Sequence, residues 1–196
     1  MPRIKSVLFA AAAGVGLTAG SALAAECTTD VAEKEDIKEA EIVALYDCIA
    51  GAMAGAYAKS EHPAAADFRS WTVTGTRPGL AGAHSERFLL TWANPAGAEE
   101  YLKFAEEGVV MPVGSVLAKE SFNVKNGKAV VGPLFLMTKV GADQAPDTGG
   151  WFYEAVQPNG KMMKFPQAMC HDCHIAWESQ DALAYPLEEV RVGAAD

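Results

Sequence analysis

The sequence predicts an α+β domain built on a mainly antiparallel five-stranded sheet with flanking helices, and three observations lead there. Five segments, 70–76, 87–92, 115–122, 129–140 and 151–157, are rich in the β-branched and aromatic residues that suit a pleated, half-buried surface. One long stretch, 37–59, instead repeats its apolar residues at three- and four-residue steps, the period of an amphipathic helix. Setting aside an N-terminal leader of 24 residues leaves 172 of the 196, enough for one core and too few for two ordinary domains.

The leader is residues 1–24. Arg3 and Lys5 precede an apolar run from Val7 to about Leu17, and Ala22-Leu23-Ala24 supplies the small residues of a cleavage site. The run is shorter than the roughly 20 residues that a membrane-spanning helix requires, and no comparable run follows it. The mature chain is therefore expected to begin near Ala25, to leave the membrane and to work in the periplasm; the alternative is an uncleaved anchor. A helical segment, 25–66, and the remainder, 67–196, are expected to form one globular unit.

Sixteen basic side chains face 25 acidic ones, a formal charge of −9, and loss of Arg3 and Lys5 takes this to −11. That sign excludes nucleic acid as a natural partner. It suits a solvating surface, or one that steers a basic redox protein.

Within 37–59 the apolar face is Ile42, Leu45, Tyr46, Ile49, Met53 and Tyr57. Acids crowd its start and Lys59 closes its end, the order that suits the helix dipole, before His62-Pro63 stops it. In the first strand Trp71, Val73 and Gly75 alternate with three threonines. Asn94 is expected to cap a helix that has Pro95 at its first position and ends before Gly108. Pro78-Gly79, 146–150 and Pro158-Asn159-Gly160 read as turns.

Four cysteines in an exported chain each need an assignment. Cys27 and Cys48 are expected to form a disulfide in an oxidising compartment, with two free thiols as the alternative. A disulfide requires Cα atoms within about 7 Å, whereas one unbroken helix from position 27 to 48 would hold them roughly 30 Å apart. The chain before Ile37 must then fold back along the helix.

The other two belong to Cys170-His171-Asp172-Cys173-His174. In this pattern two thiols add to the vinyl groups of haem and the following histidine ligates iron. On a helical turn, positions i, i+3 and i+4 share one face, so Cys170, Cys173 and His174 can converge on one macrocycle. Pro166 is placed to begin that turn. A zinc site would want a further ligand pair, and a thioredoxin-like dithiol would follow a βαβ unit; the sequence offers neither beyond Cys27 and Cys48. One covalent haem c attached near the C-terminus is expected, with His174 as axial ligand and the far side of the ring covered by upstream residues. Met111, Met137, Met162, Met163, Met169, His62, His84 and His171 are the candidates for a sixth ligand. No motif singles one out, so the sixth position is expected to be open or weakly occupied.

The order of these motifs from about Asp67 to Arg191 resembles the cytochrome P-460 and cytochrome c′-β family. The shared pieces are Phe68-Arg69-Ser70-Trp71 leading to Gly75-Thr76, Asn94-Pro95 before Tyr101, the run from Gly114 to Glu120, Gly150-Trp151, the haem motif and Asp181. The resemblance implies an antiparallel sheet packed with helices, often dimeric, around a five-coordinate haem in an apolar pocket. It also implies that Lys119 stands where catalytic members bond a lysine nitrogen to a haem meso carbon, and that Arg87 lies on the strand that carries a pocket arginine. Catalytic members oxidise hydroxylamine with the help of a carboxylate at the iron face. Here the stretch 155–171 contains no Asp or Glu, and Lys164-Phe165-Pro166 stands where that carboxylate is expected. Phe165 then suggests an aromatic-capped pocket of the c′-β kind, which binds nitric oxide and similar small neutral ligands. Glu154 and Glu120 are the remaining acids within reach of the pocket, with a solvated or strand-edge position as the alternative for each. Three functions follow in order: capture of nitric oxide or related ligands, oxidation of hydroxylamine with Lys119 bonded to haem, and simple electron transfer with a redox partner protein.

Overall fold

The computed structural model describes residues 26–193, so the leader and its cleavage site lie outside the described residues. Seven strands form one antiparallel sheet: β1 Thr72–Val73, β2 Gly79–Ala81, β3 Arg87–Ala93, β4 Val116–Lys125, β5 Lys128–Val131, β6 Leu134–Lys139 and β7 Trp151–Val156. Their order is β1-β3-β4-β6-β7, with β2 also on β3 and β5 also on β4. The helices are α1 Glu39–Tyr57, α2 Pro63–Asp67, α3 Ala98–Tyr101 and α4 Gln167–His174. The α+β class and the antiparallel sheet stand.

The first strand shortens from the expected 70–76 to Thr72–Val73, and three further details differ, each for a local reason. The segment 129–140 is two strands, because Gly132-Pro133 breaks it: β5 pairs with the end of β4 through Phe122 and Val131, while β6 pairs with its start through Val116 and Thr138. Gly79, read with Pro78 as a turn, instead begins the strand Gly79–Ala81, which pairs with Arg87–Leu89 and closes a hairpin. The helix after Asn94 is one turn. The Asn94 side-chain oxygen accepts from the backbone N–H of Gly97 at 3.1 Å and also from that of Val116 at 2.9 Å, so it ties a turn to β4 before α3 begins. Phe104, at φ 45°, then leads the chain out of helical geometry.

The sheet is buried on both faces. Helix α1 lays Ile42, Leu45, Ile49, Met53 and Tyr57 against Phe88, Ala118, Phe122, Leu134 and Leu136. On the other face Leu117, Met137, Trp151 and Tyr153 pack with Tyr101, Met111 and Leu183. Adjacent residues of β4 thus serve different cores, as the two-residue period of a strand requires. Among the described residues, α1 alone is long and apolar enough to cross a bilayer, and its apolar stripe is used up against the sheet.

Cys27 and Cys48 are joined in a disulfide with Cα atoms 5.7 Å apart. The arm that returns past α1 runs beside β5: Thr28 bridges Lys128, and the Thr29 N–H donates to the Gly127 carbonyl at 2.8 Å. Gly127 has φ 71°, and a Cβ there would meet the Thr29 carbonyl oxygen at 2.6 Å, so only glycine fits this approach. Cross-linking across 21 residues removes denatured-chain entropy worth about 3 kcal/mol. Cys48→Ser is therefore expected to lower stability by about that amount in a denaturant titration.

Candidate functional site

A cavity of about 600 Å³ lies on the sheet face opposite α1, within the range of roughly 300–1,000 Å³ typical of cofactor sites. The sheet supplies one wall. Thr91, Lys119 and Phe135 are cross-strand neighbours on β3, β4 and β6, flanked by Arg87, Leu89 and Met137. The opposite wall is α4, through Met169, Cys170, Cys173 and His174, together with the chain from Ala184 to Leu187. The chain downstream of the haem motif thus completes the α4 wall, and the facing wall is made of upstream residues. The hairpin loop between β2 and β3 forms its end.

Helix α4 starts directly after Pro166 and is docked on β7 by one side chain. The Gln167 amide accepts from the Tyr153 N–H at 2.7 Å and donates to the Tyr153 carbonyl at 2.9 Å, as a paired strand residue would. His171 leaves the cavity and meets the Tyr153 hydroxyl at 3.2 Å, whereas Cys170, Cys173 and His174 face inward as the i, i+3, i+4 spacing requires. Both cysteines are free thiols, Cys170 half-buried and Cys173 exposed. Burial, helped by the neighbouring Cys173, pushes the Cys170 thiol up.

His174 is 7% exposed, and its Nδ1 lies 2.7 Å from the Ala182 carbonyl. That carbonyl accepts, so Nδ1 carries the proton and Nε2 presents its lone pair. Burial and the Lys119 charge push His174 down to about 4, so it is a neutral imidazole at neutral pH. Its acceptor is rigidly placed. Asp181 binds Lys139 at 2.6 Å and the Met111 N–H at 2.8 Å, while its carbonyl takes the Trp151 indole N–H at 2.7 Å. Asp181, part of the family-like pattern, is thus the anchor of the loop that orients the histidine.

Lys119 is 5% exposed, and its ammonium reaches the Leu183 carbonyl at 3.4 Å. Burial lowers it to about 8. Folded and unfolded chains are both protonated below about 8; between about 8 and 10.5 only the unfolded chain holds the proton, so stability rises with pH across that window. Lys119→Met is expected to remove this rise and to stabilise a chain with a free Lys119 amine by roughly 3 kcal/mol at pH 7, read from denaturation at a series of pH values.

Arg87 lines the cavity beside these groups. Phe165 does not: it packs against the second core and lines a smaller depression with Phe152, Tyr153 and Met162. Glu120 points to the α1 side, and Glu154, at the cavity rim, pairs with His62 at 3.2 Å. His84, one of the eight sixth-ligand candidates with no motif to set it apart, lines the cavity. The ring of His84 lies 4.7 Å from that of Phe135 and 6.3 Å from that of His174, centroid to centroid. Burial first, then the nearby Lys119 charge, pushes His84 down to about 3. Missing β2 in the sequence hid the hairpin that carries it here.

The residues fit haem: two free thiols and an oriented imidazole with an unused Nε2 share one wall of a largely apolar cavity of sufficient size. Fold and site together define the class of haem cytochromes. The family model of cytochrome P460 matches residues 65–184, and the chain belongs to that family. No curated protein matches the sequence.

Proposed function

We propose that this cytochrome is a periplasmic, single-haem c-type protein that captures nitric oxide or a related small neutral ligand. The observation that carries the reading is the composition of the cavity. Leu89, Phe135 and Met137 give it apolar walls, and its sole carboxylate among the described residues, Glu154, sits at the rim engaged with His62. Cys170 and Cys173 would hold the haem, and His174 would ligate its iron through Nε2. Haem, when bound, supplies an iron that takes up small ligands and exchanges one electron. Around it the chain excludes water with apolar side chains, and the Ala182 carbonyl holds the imidazole in one tautomer.

The Lys119 amine favours a second reading, oxidation of hydroxylamine by a haem bonded to that nitrogen. Burial makes the neutral, nucleophilic amine accessible near pH 8, and Lys119 lines the same cavity as the cysteines and His174, from the facing wall. One experiment tests both. Protein expressed with haem-attachment machinery is expected to gain the mass of one haem under denaturing conditions and to bind nitric oxide saturably. A peptide map that shows Lys119 modified, with turnover of hydroxylamine by an artificial electron acceptor, would support the second reading. Absence of covalent haem would overturn both.

A further inference from the structure

We propose that the mouth of the cavity, where α4 runs on into residues 175–187, is the docking surface for a basic one-electron protein. The inference rests on haem being held by Cys170, Cys173 and His174, and it names the partner with which that same site exchanges its electron.

The surface is apolar at its centre. Met169, Ile175, Trp177 and Leu187 are between 40% and 57% exposed, and Met169, Trp177 and Leu187 also line the cavity. They therefore gather at its opening, whereas exposed apolar side chains that need no explanation lie singly. Trp177 owes its place to a break in the chain. At φ −111° and ψ 40° it leaves helical geometry, and the chain turns back so that the Ala182 N–H donates to the Trp177 carbonyl at 2.9 Å. A tryptophan left this open is a residue type enriched at the centre of protein interfaces. Cys173, exposed on the same side, puts one point of haem attachment at this surface.

The collar around it is acidic and unmatched. Residues 165–190 contain five acids and no lysine or arginine. Asp181 is held by Lys139, but Asp172, Glu178, Glu188 and Glu189 are exposed and take part in no ion pair among the described residues. Acids elsewhere on the surface do have counterions: Glu26 has Lys128, Glu39 has Arg77, Glu86 has Lys34 and Glu100 has Lys103. The flanking cations are committed. Arg191 reaches Glu106 at 3.7 Å and donates to the Pro186 carbonyl at 2.9 Å, and Lys164 lines the separate depression beside Phe165.

This combination selects the occupant. A second copy of the chain, docked about a two-fold axis, would set the same unmatched acids against one another, and an anionic lipid surface would be repelled. A protein with lysines or arginines around its own exposed redox centre is attracted along the approach and then excludes water over the apolar middle, as in small, short-lived electron-transfer complexes. One electron passes between the two centres, and no bond forms or breaks.

The test is isothermal titration calorimetry of the ferric holoprotein with a lysine-rich ferric cytochrome c, a pairing in which no electron moves. A one-to-one complex is expected, weakening about tenfold or more between ionic strengths of about 0.01 M and about 0.15 M. Glu178→Gln with Glu188→Gln should weaken it about fivefold or more at the lower salt. Asp47→Asn with Asp67→Asn makes the same change of net charge at exposed positions on α1 and at the end of α2, and should alter the affinity less than about twofold. Leu187→Ser should weaken binding at both salts, because an apolar contact is not screened. Stopped-flow reduction of the same cytochrome c by the ferrous holoprotein should follow the same ranking. Equal losses in the two double variants, or a wild type that forms no salt-dependent complex, would overturn the proposal. So would a wild-type dimer in sedimentation that Leu187→Ser dissolves, since a second copy would then hold the surface. Covalent haem and saturable nitric oxide binding in the wild type and both double variants keep such a failure apart from failure of the haem reading, and a wild-type protein without covalent haem overturns both.

Discussion

Glu120→Ala is expected to lower the free energy of unfolding by about 3–5 kcal/mol, the range for removing one partner of a buried ion pair. Glu120 is 1% exposed and sits under α1, on the sheet face away from the cavity. Its carboxylate pairs with the Arg69 guanidinium and accepts from the Tyr46 hydroxyl at 2.5 Å and the Trp92 indole N–H at 3.1 Å. Alanine leaves a guanidinium and two neutral donors without their common acceptor, and neither α1 nor the strand can move aside to admit water cheaply. Burial and the Glu120 charge hold the Tyr46 phenol above its ordinary range, so the variant should also titrate Tyr46 earlier. For a chain of this size the loss corresponds to roughly 6–20 °C in Tm. Calorimetry checks it. A loss below about 1 kcal/mol would mean that the cluster behaves like a solvated surface pair. Haem content should be unchanged, since no member of the cluster touches the cavity.

This cluster also marks where the sequence stopped being legible. Lys119 and Glu120 are consecutive, and the two-residue strand period states that they face opposite ways. It does not state which face is which, because both faces of β4 are buried and neither neighbour is a polar, solvent-facing residue that would give the answer. The sequence alone therefore allows Glu120 either face, and the structure puts it in the core under α1. Where periodicity met a water-facing side, as in α1, the reading placed the core residues well: Ile42, Leu45, Ile49, Met53 and Tyr57 are all buried.

Short elements were harder. β2 has three residues that include Gly79 and follow Pro78, so local chemistry reads as a turn, and only its pairing with Arg87–Leu89 makes it a strand. The split of 129–140 was written in Gly132-Pro133, but a proline can also sit on an edge strand. The register with β4 decides it. Phe165 shows the limit of motif placement: proximity in sequence to the haem motif did not bring its ring to the cavity wall, because Gln167 docks α4 on β7 after the chain has already turned. His84 carries no motif at all, and only the hairpin brings it to the cavity.

Single and double replacements of the motif thiols should separate attachment from binding. Cys170→Ser and Cys173→Ser are each expected to leave haem bound by one remaining thioether, whereas the double variant should lose every covalently held haem on a denaturing gel. The two single variants should not be equivalent. Cys170 is half-buried and packs at the edge of the second core beside Phe165, so its replacement puts a hydroxyl where a soft, weakly polar sulfur is preferred. Cys173 is exposed, and the same exchange there removes a bond without disturbing a core. A lower Tm for Cys170→Ser than for Cys173→Ser, at equal haem content, is the expected outcome of calorimetry on the two holoproteins. The double variant should still take up haem reversibly, because the His174 Nε2 and the apolar walls are untouched, and its affinity would then measure what the cavity contributes without the covalent bonds. Covalent haem that persists in the double variant would place attachment elsewhere, and Lys119, buried on the facing wall, is the residue to map next.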